Sequence, residues 1–396
     1  MNILYITYDG ILEPLGDSQV LSYQEKLSKD FNIILLSYEK EGDLKNKKLL
    51  NLMIKRVQGA SISWVYRRYH KSPSILATFY DLFVGLIHTS YLIYKYNIKI
   101  VHARSYPPAL IAMFLKLFFG VQFVFDMRGF WADERVDGDI WEKDSYIYSF
   151  TKYLEKLFLK KADHIISLTN SAVEEIKNFK YVDELQLPIT VISTCVNLEK
   201  FKPNHDIKKS DNFKFGYLGT VGTWYLFDET IKAFQIGLEL LPSAKILIIN
   251  KGEHDFIKSK LRKYGIPLSS VELVTASHSI VPSLIQEISA TVFFLKPLFS
   301  KQASAPTKLG EFLACGIPCL TNSGIGDMGN IINSGNVGVT INDFSEDSIR
   351  SALTSLIELT NEKNIEDRCV SVAKKHFSLD DGVKLYAQIY NNLLNA

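Results

Sequence analysis

Short apolar runs that end in glycine or charged residues recur along the chain, spaced by helix-length stretches, and this alternation leaves little choice of fold. Asn2–Tyr8 is the first. A short continuous apolar run reads as a strand buried on both faces, as parallel sheets require. A loop containing Gly10 and Gly16 follows, then a helix expected over Ser18–Lys29 and a second strand over Asn32–Ser37. Strand, glycine loop, helix and strand make a βαβ unit, although the Gly-x-Gly-x-x-Gly dinucleotide fingerprint is absent. More strands are expected at Ile98–Arg104, Val121–Asp126, His164–Leu168 and Ile189–Ser193, with helices over Tyr146–Lys161 and from Thr169 to about Asn178. Pro203–Asn212 is polar and breaks the series. Phe213 opens a second one, with strands at Phe213–Leu218, Lys245–Asn250, Val271–Thr275, Thr291–Leu295 and Ile317–Thr321. A chain of 396 residues is long for one core and natural for two. The expected division is 1–205, 206–376 and a terminal helical segment 377–396.

Composition excludes several classes. With 47% apolar and 22% charged residues the chain is neither disordered nor fibrous. A net charge of +2 argues against a nucleic-acid binder by bulk electrostatics. Cys195, Cys315, Cys319 and Cys369 form no Cys-x-x-Cys pair, so free thiols in a reducing cytoplasm are expected. The N-terminus reads as a strand and lacks a basic leader. Ile75–Tyr94 comes nearest to a membrane span, but Asp81 and His88 interrupt it, so a buried or surface-lying helix is expected. Lys45–Lys71 reads as basic and irregular, with Lys55, Arg56, Arg67, Arg68 and Lys71 among Trp64, Tyr66 and Tyr69. It is either a peripheral contact with an anionic membrane surface or a solvated basic face.

Three stretches carry candidate chemistry. In open parallel sheets ligands bind at the carboxyl ends of strands. His102-Ala103-Arg104-Ser105 and Asp126-Met127-Arg128-Gly129 fall at such ends. Asp126 and Arg128 form either a structural pair or part of a site. Arg128 stays protonated and cannot act as a base, but it can hold a carboxylate or phosphate. Gly219-Thr220-Val221-Gly222-Thr223 follows a strand, where backbone can approach a phosphate closely. In Ser304-Ala305-Pro306-Thr307-Lys308-Leu309-Gly310-Glu311, a polar loop enters a helix that stops at Gly316, with Pro318 beyond. The first-turn amides of that helix and Lys308 suit a diphosphate, and Glu311 one turn on suits ribose hydroxyls. The plain alternative is a charge pair on a solvated helix. Asp137-Gly138-Asp139 does not follow a strand, and no metal site is expected.

The last stretch resembles the nucleotide-sugar segment of GT4-type retaining glycosyltransferases, in a branch with Ser/Ala-Pro-Thr-Lys-Leu-Gly-Glu at this place. The usual first Glu of the pattern is Ala303 here; Glu311 matches the second, which in the family holds the donor ribose. Asn197-Leu198-Glu199-Lys200-Phe201-Lys202-Pro203 resembles the family's Val-Asp-x-x-x-Phe-x-Pro segment, with Asn197 for Asp. The resemblance implies a GT-B fold: two Rossmann-like α/β domains with parallel sheets facing an interdomain cleft, and a last helix crossing back to the first domain. It implies sugar transfer from a nucleoside diphosphate sugar to a hydroxyl, with retention, without a metal or other cofactor. A glycan or lipid-linked acceptor is implied, in polysaccharide or glycolipid synthesis at the inner face of the plasma membrane. Donor contacts are expected from Gly16, Gly219, Thr220, Gly222, Thr223, Ser304, Thr307, Lys308, Leu309 and Glu311, and catalytic roles from Arg128, Lys308 and Asp126. A sugar-nucleotide epimerase of the same fold and a non-catalytic sugar-nucleotide-binding partner subunit are the alternatives.

Overall fold

The computed structural model describes residues 1–72, 74–182, 187–207 and 212–395. The chain divides into two compact units, Met1–Ser193 with Leu379–Ala396, and Thr194–Ser378. The first division falls earlier than the polar stretch 203–212, whose residues 208–211 lie outside the described ones. The cause is local: Val196 N donates to Phe377 O and Thr194 Oγ1 to Ala305 O, so the residues before Pro203 already belong to the second unit.

In the first unit seven strands among the described residues form one parallel sheet: β1 (Asn2–Thr7), β2 (Asn32–Glu39), β3 (Ser63–Arg68), β4 (Ile100–Arg104), β5 (Gln122–Asp126), β6 (His164–Ser167) and β7 (Ile189–Val191). Their order is β3-β2-β1-β4-β5-β6-β7. β1 pairs with β2 on one side and β4 on the other, so Tyr5 lies opposite both Leu35 and His102. A strand flanked twice and covered on both faces must be apolar throughout, and Ile3, Leu4 and Ile6 have no exposed surface. The second unit repeats the plan with six strands among the described residues: β8 (Lys214–Leu218), β9 (Lys245–Ile249), β10 (Val271–Val274), β11 (Ala290–Val292), β12 (Cys319–Asn322) and β13 (Gly338–Ile341), ordered β10-β9-β8-β11-β12-β13. Each sheet therefore reverses its order once, between β1 and β4 and between β8 and β11. The carboxyl ends flanking such a reversal are where an open α/β sheet leaves room for a ligand.

Two segments differ from the sequence reading. The first helix begins at Pro14, not Ser18, and passes through a π-helical turn at Asp17–Leu21 before resuming at Ser22–Leu27. Proline suits a first helical position, where its missing N–H costs nothing. Gly16 is therefore helical, and a Cβ there would stand 1.9 Å from Gly10 O. Its close approach is chain to chain, at the turn back onto the loop after β1. The basic segment is also ordered: it forms the helix Lys47–Gly59 and the edge strand β3. Arg56 binds Asp17 and Glu25 through Nη1 and Nε at 2.5 and 2.6 Å, Arg68 reaches Glu41 at 2.6 Å, and the Trp64 indole donates to Ser37 Oγ. Much of its charge and one of its aromatics are thus engaged within the unit.

The apolar helix Ser74–Tyr96 rests on the helix Tyr106–Phe119 and leaves a row of large side chains in solvent. Phe79, Phe83 (65% exposed), Ile87 and Tyr94 (89%) belong to that row. By length and composition Leu76–Tyr96 is long and apolar enough to cross a membrane, and 33% of its most apolar stretch is buried within the structure. Its Asp81 is buried, accepting from the Tyr8 hydroxyl and bonded to the His70 ring at 2.6 Å. The final helix, Leu379–Asn395, buries Tyr386, Ile389 and Tyr390 in the first unit, with Tyr386 edge-on to Tyr23 and Tyr390 edge-on to Phe31.

Candidate functional site

In the second unit the reversal between β8 and β11 is built around Lys308. The helix Thr307–Ala314 starts after Pro306 and stops at Cys315, with Gly316 in the left-handed region at φ 78°. Lys308, on its first turn, is buried, and its Nζ has no hydrogen-bond partner among the described residues. The ammonium lies 3.9 Å from the ring centroid of Tyr225, 4.6 Å from Tyr217 and 5.3 Å from Phe293. Desolvated cation–π contacts of this kind give about 2 kcal/mol, less than the several kcal/mol that removing an ammonium from water costs. Burial accordingly lowers the Lys308 pKa to about 7, with Glu311 opposing the shift. Beside the aromatic rings, the ammonium lies next to Gly219. A Cβ at Gly219 would come within 3.2 Å of Lys308 Nζ, and its φ of 111° excludes a side chain on conformational grounds as well. The chain end of β8 thus lies directly against a buried cation.

The loop after β8 is held from below. Asn250 Nδ2 donates to Gly219 O and to Glu253 Oε2, which also accepts from Val221 N. Thr220, Gly222 and Thr223 remain exposed on that loop, with Thr223 at φ 54°. Ser304 and Thr307 are half-buried at the helix entrance. Glu311 is buried one turn beyond Lys308, and His278 Nε2 lies 3.2 Å from its Oε1, placed to donate to it. Leu309 is a correction. Its side chain sits in the core and its N–H donates to Pro306 O at 3.1 Å, so neither is left for a ligand. Asp327 takes the first cap position of the helix Met328–Gly335 without a capping side-chain bond.

At the other reversal, in the first unit, charges gather behind β1, β4 and β5. His102 and Arg104 come from β4, Asp126 ends β5, and Asp9 and Arg128 follow β1 and β5. Asp126 has no exposed surface. Its Oδ2 accepts from the Tyr386 hydroxyl at 3.2 Å and lies 3.5 Å from His102 Nε2 and 4.0 Å from Arg104 Nη1; its Oδ1 is 3.9 Å from Arg128 Nη1. Burial works against the Asp126 charge, but Arg128, His102 and Arg104 outweigh it and hold the carboxyl below its usual range. Burial keeps His102 below its ordinary value despite Asp126, and its Nδ1 bonds the Tyr390 hydroxyl at 2.7 Å. An acid so enclosed acts on its neighbours: Asp126 is a buried counter-ion to Arg104 and Arg128 with no surface open to a ligand, where the sequence reading gave it a catalytic role.

The fold repeats across many solved structures. Residues 25–200 match the family described as Glycosyltransferase Family 4, and residues 199–376 match Glycosyl transferases group 1. The chain belongs to this glycosyltransferase family. An uncharacterized glycosyltransferase of Methanocaldococcus jannaschii is 23% identical over 315 residues, 76% of this chain and 77% of its own. Among solved structures, sucrose-phosphate synthase from Thermosynechococcus elongatus superposes with a TM-score of 0.74 at 13% identity, covering 100% of this chain and 99% of that one. Anabaena HepE in complex with UDP-glucose superposes with a TM-score of 0.69 at 12% identity, covering 99% and 100%. These neighbours establish the GT-B fold, two Rossmann-like units with parallel sheets.

In this glycosyltransferase, Lys308, Gly219 and Glu311 fall in one site of the second unit, and Arg128 and Asp126 in one site of the first. Sequence reasoning did not find His278. It sits past β10 in Ala276-Ser277-His278-Ser279, at a ligand-facing strand end, which was the available signal. Asp9 was missed for the same reason, and Arg104 was noted without a role. Asp137 ends the helix Trp131–Asp137, and among the described residues no three His, Cys, Asp or Glu side chains are grouped to hold a metal.

Proposed function

We propose that the protein transfers a sugar from a nucleoside diphosphate sugar to an acceptor hydroxyl with retention of configuration, using no metal. The observation that carries this reading is the buried Lys308 ammonium, without a hydrogen-bond partner among the described residues and set against Gly219. A buried cation in that state is a seat for an anion. The helix-end amides of Thr307 and Lys308, with Lys308 Nζ, take the diphosphate and stabilise it as it leaves. Glu311, oriented by His278, accepts hydrogen bonds from the ribose. HepE, with the same fold, was solved holding UDP-glucose, which supports a nucleotide donor of this class. The family match weighs against the epimerase and against a non-catalytic subunit. The test is a thermal-shift screen of UDP- and GDP-sugars, then NMR of the product made from the stabilising donor. Stabilisation by a nucleotide sugar, lost in Lys308→Met, and an axial donor giving an axial product support the reading. An inverted product removes retention, and no turnover on any acceptor removes the enzyme.

We also propose peripheral attachment to an anionic bilayer, with the row Phe79, Phe83, Ile87 and Tyr94 as the contact in place of the basic segment. A helix carrying such a row with a lysine near its end suits the headgroup boundary. Lys95 lies over the Tyr91 and Tyr96 rings near the end of the row, and the helix's one acid is buried. Co-sedimentation with phosphatidylglycerol-containing vesicles checks this: Phe83→Glu with Ile87→Glu should release the protein. Retention of that variant on vesicles would refute the contact.

A further inference from the structure

The first unit holds more positive charge in one place than its own structure uses. Arg104 is 4% exposed, and neither its Nε nor its Nη1 has a hydrogen-bond partner among the described residues. Asp9 Oδ2 is 3.4 Å from Nε, and its side chain is 50% exposed. Arg128 approaches the same Asp126 carboxylate from the other side and stays 12% exposed. Counting charges, two guanidinium groups face one buried carboxylate, Asp126, and one half-exposed carboxylate, Asp9. The surrounding phenols carry no charge: burial pushes the hydroxyls of Tyr5 and Tyr386 well above their ordinary range. With Asp9 withdrawn, the site has one uncompensated positive charge.

The backbone is strained at the same spot. Ser105, next to Arg104, has φ 71° and ψ −179°, a region populated almost only by glycine, and Arg128 has φ 59°. Such conformations cost about 1–3 kcal/mol each and persist where surrounding structure enforces them, most often at ligand sites. Here Ser105 N donates to Asp126 O, locking the ends of β4 and β5 together and fixing both arginines at the sheet's reversal. The helix that starts at Tyr106 carries Pro107 and Pro108 in its first turn and offers few amides there, so the guanidinium groups supply the charge.

We propose that Arg104 and Arg128 form a seat for an anionic group, a carboxylate or phosphate, on the acceptor, and that the Asp9 carboxylate fills this seat until the ligand displaces it. The acceptor assignment rests on the transferase reading above. The seat itself does not, and it is tested by binding alone. Inorganic phosphate and acetate are titrated in parallel into the full chain at constant ionic strength held with chloride, following the melting temperature. The same titrations are run on Lys308→Met, which removes the buried cation of the second unit. Saturable stabilisation by phosphate, acetate or both is expected in wild type and Lys308→Met alike. Phosphate alone points to a phosphorylated acceptor, acetate alone to an acidic sugar or other carboxylate. Arg128→Gln should weaken the effect at least tenfold; Arg128→Lys, which keeps the charge but loses the fork, should weaken it less and is the variant to read if the first does not fold. Asp9→Asn is the decisive arm, because it removes the competitor and should tighten anion binding several-fold. A purely structural Asp9–Arg104 pair predicts a lower melting temperature with no gain in affinity, and that result overturns the proposal. So does stabilisation that Lys308→Met abolishes, or none beyond the chloride control.

Discussion

The two strand-order reversals differ in how they treat a buried positive charge. Behind β8 and β11 the Lys308 ammonium has a screen of aromatic rings and, among the described residues, no hydrogen-bond partner. Behind β1 and β4 there are two guanidinium groups and two carboxylates within 4.0 Å of them. The first arrangement is an unpaired charge, costly when vacant and relieved by a ligand. The second is nearly neutral at rest, and it exchanges one internal partner for an external one. Lysine suits the first role because its pKa yields to burial, and arginine suits the second because its pKa does not.

Lys308→Met should separate the two sites most sharply. It removes a donor aimed at developing charge, so kcat should fall about 100-fold or more, measured with saturating donor. The same substitution should make the vacant protein more stable at pH 7. The sign follows from the lowered pKa of about 7. Between that value and the unfolded lysine's ordinary one, the unfolded chain binds more protons than the folded one. Stability therefore rises with pH across the window, and the rise should be absent from the variant. Urea melts of both proteins at pH 7 and pH 9 test this. Donor binding should show the opposite dependence: UDP affinity should fall by up to about tenfold per pH unit above 7, because a bound diphosphate holds the proton that the vacant site releases. Isothermal titration in two buffers of different ionisation enthalpy reads the uptake directly. Glu311→Gln should cost about tenfold in donor affinity, within the range for a hydrogen bond to a charged group. His278→Ala should cost only a few-fold, since it frees the Glu311 side chain without removing it. Equal effects from these two would place His278 in contact with the ligand.

The strands and most helices were legible because apolar runs and glycine or proline stops are local signals. The helix Thr307–Ala314 is an example, its end fixed by Gly316 and Pro318. Lys45–Lys71 failed because its helix buries only Met53 and Val57, which leaves almost no apolar periodicity to read. Its arginines looked available because Asp17, Glu25 and Glu41 lie far off in sequence. Gly16 was read as a loop glycine because the turn onto Gly10 is a tertiary contact. Glu311 and Lys308 were picked out by their spacing at a helix entrance and favoured by resemblance, whereas the pairing of Lys308 with Gly219, of Glu311 with His278 and of Asp9 with Arg104 depends on which strands become neighbours. No spacing within one segment encodes that.

The helix Leu379–Asn395 supplies Tyr386 and Tyr390 to the Asp126–His102 network, although the sheet it completes lies at the start of the chain. A ribosome delivers residues in order, and domains usually fold as they emerge. Here the unit begun first is finished last: its charged centre waits, lacking two hydroxyl partners, while the whole of Thr194–Ser378 is synthesised and folds. The nascent protein should therefore acquire protease resistance in Thr194–Ser378 before Met1–Ser193, and stalled chains ending near Ser378 should expose the earlier half to cleavage.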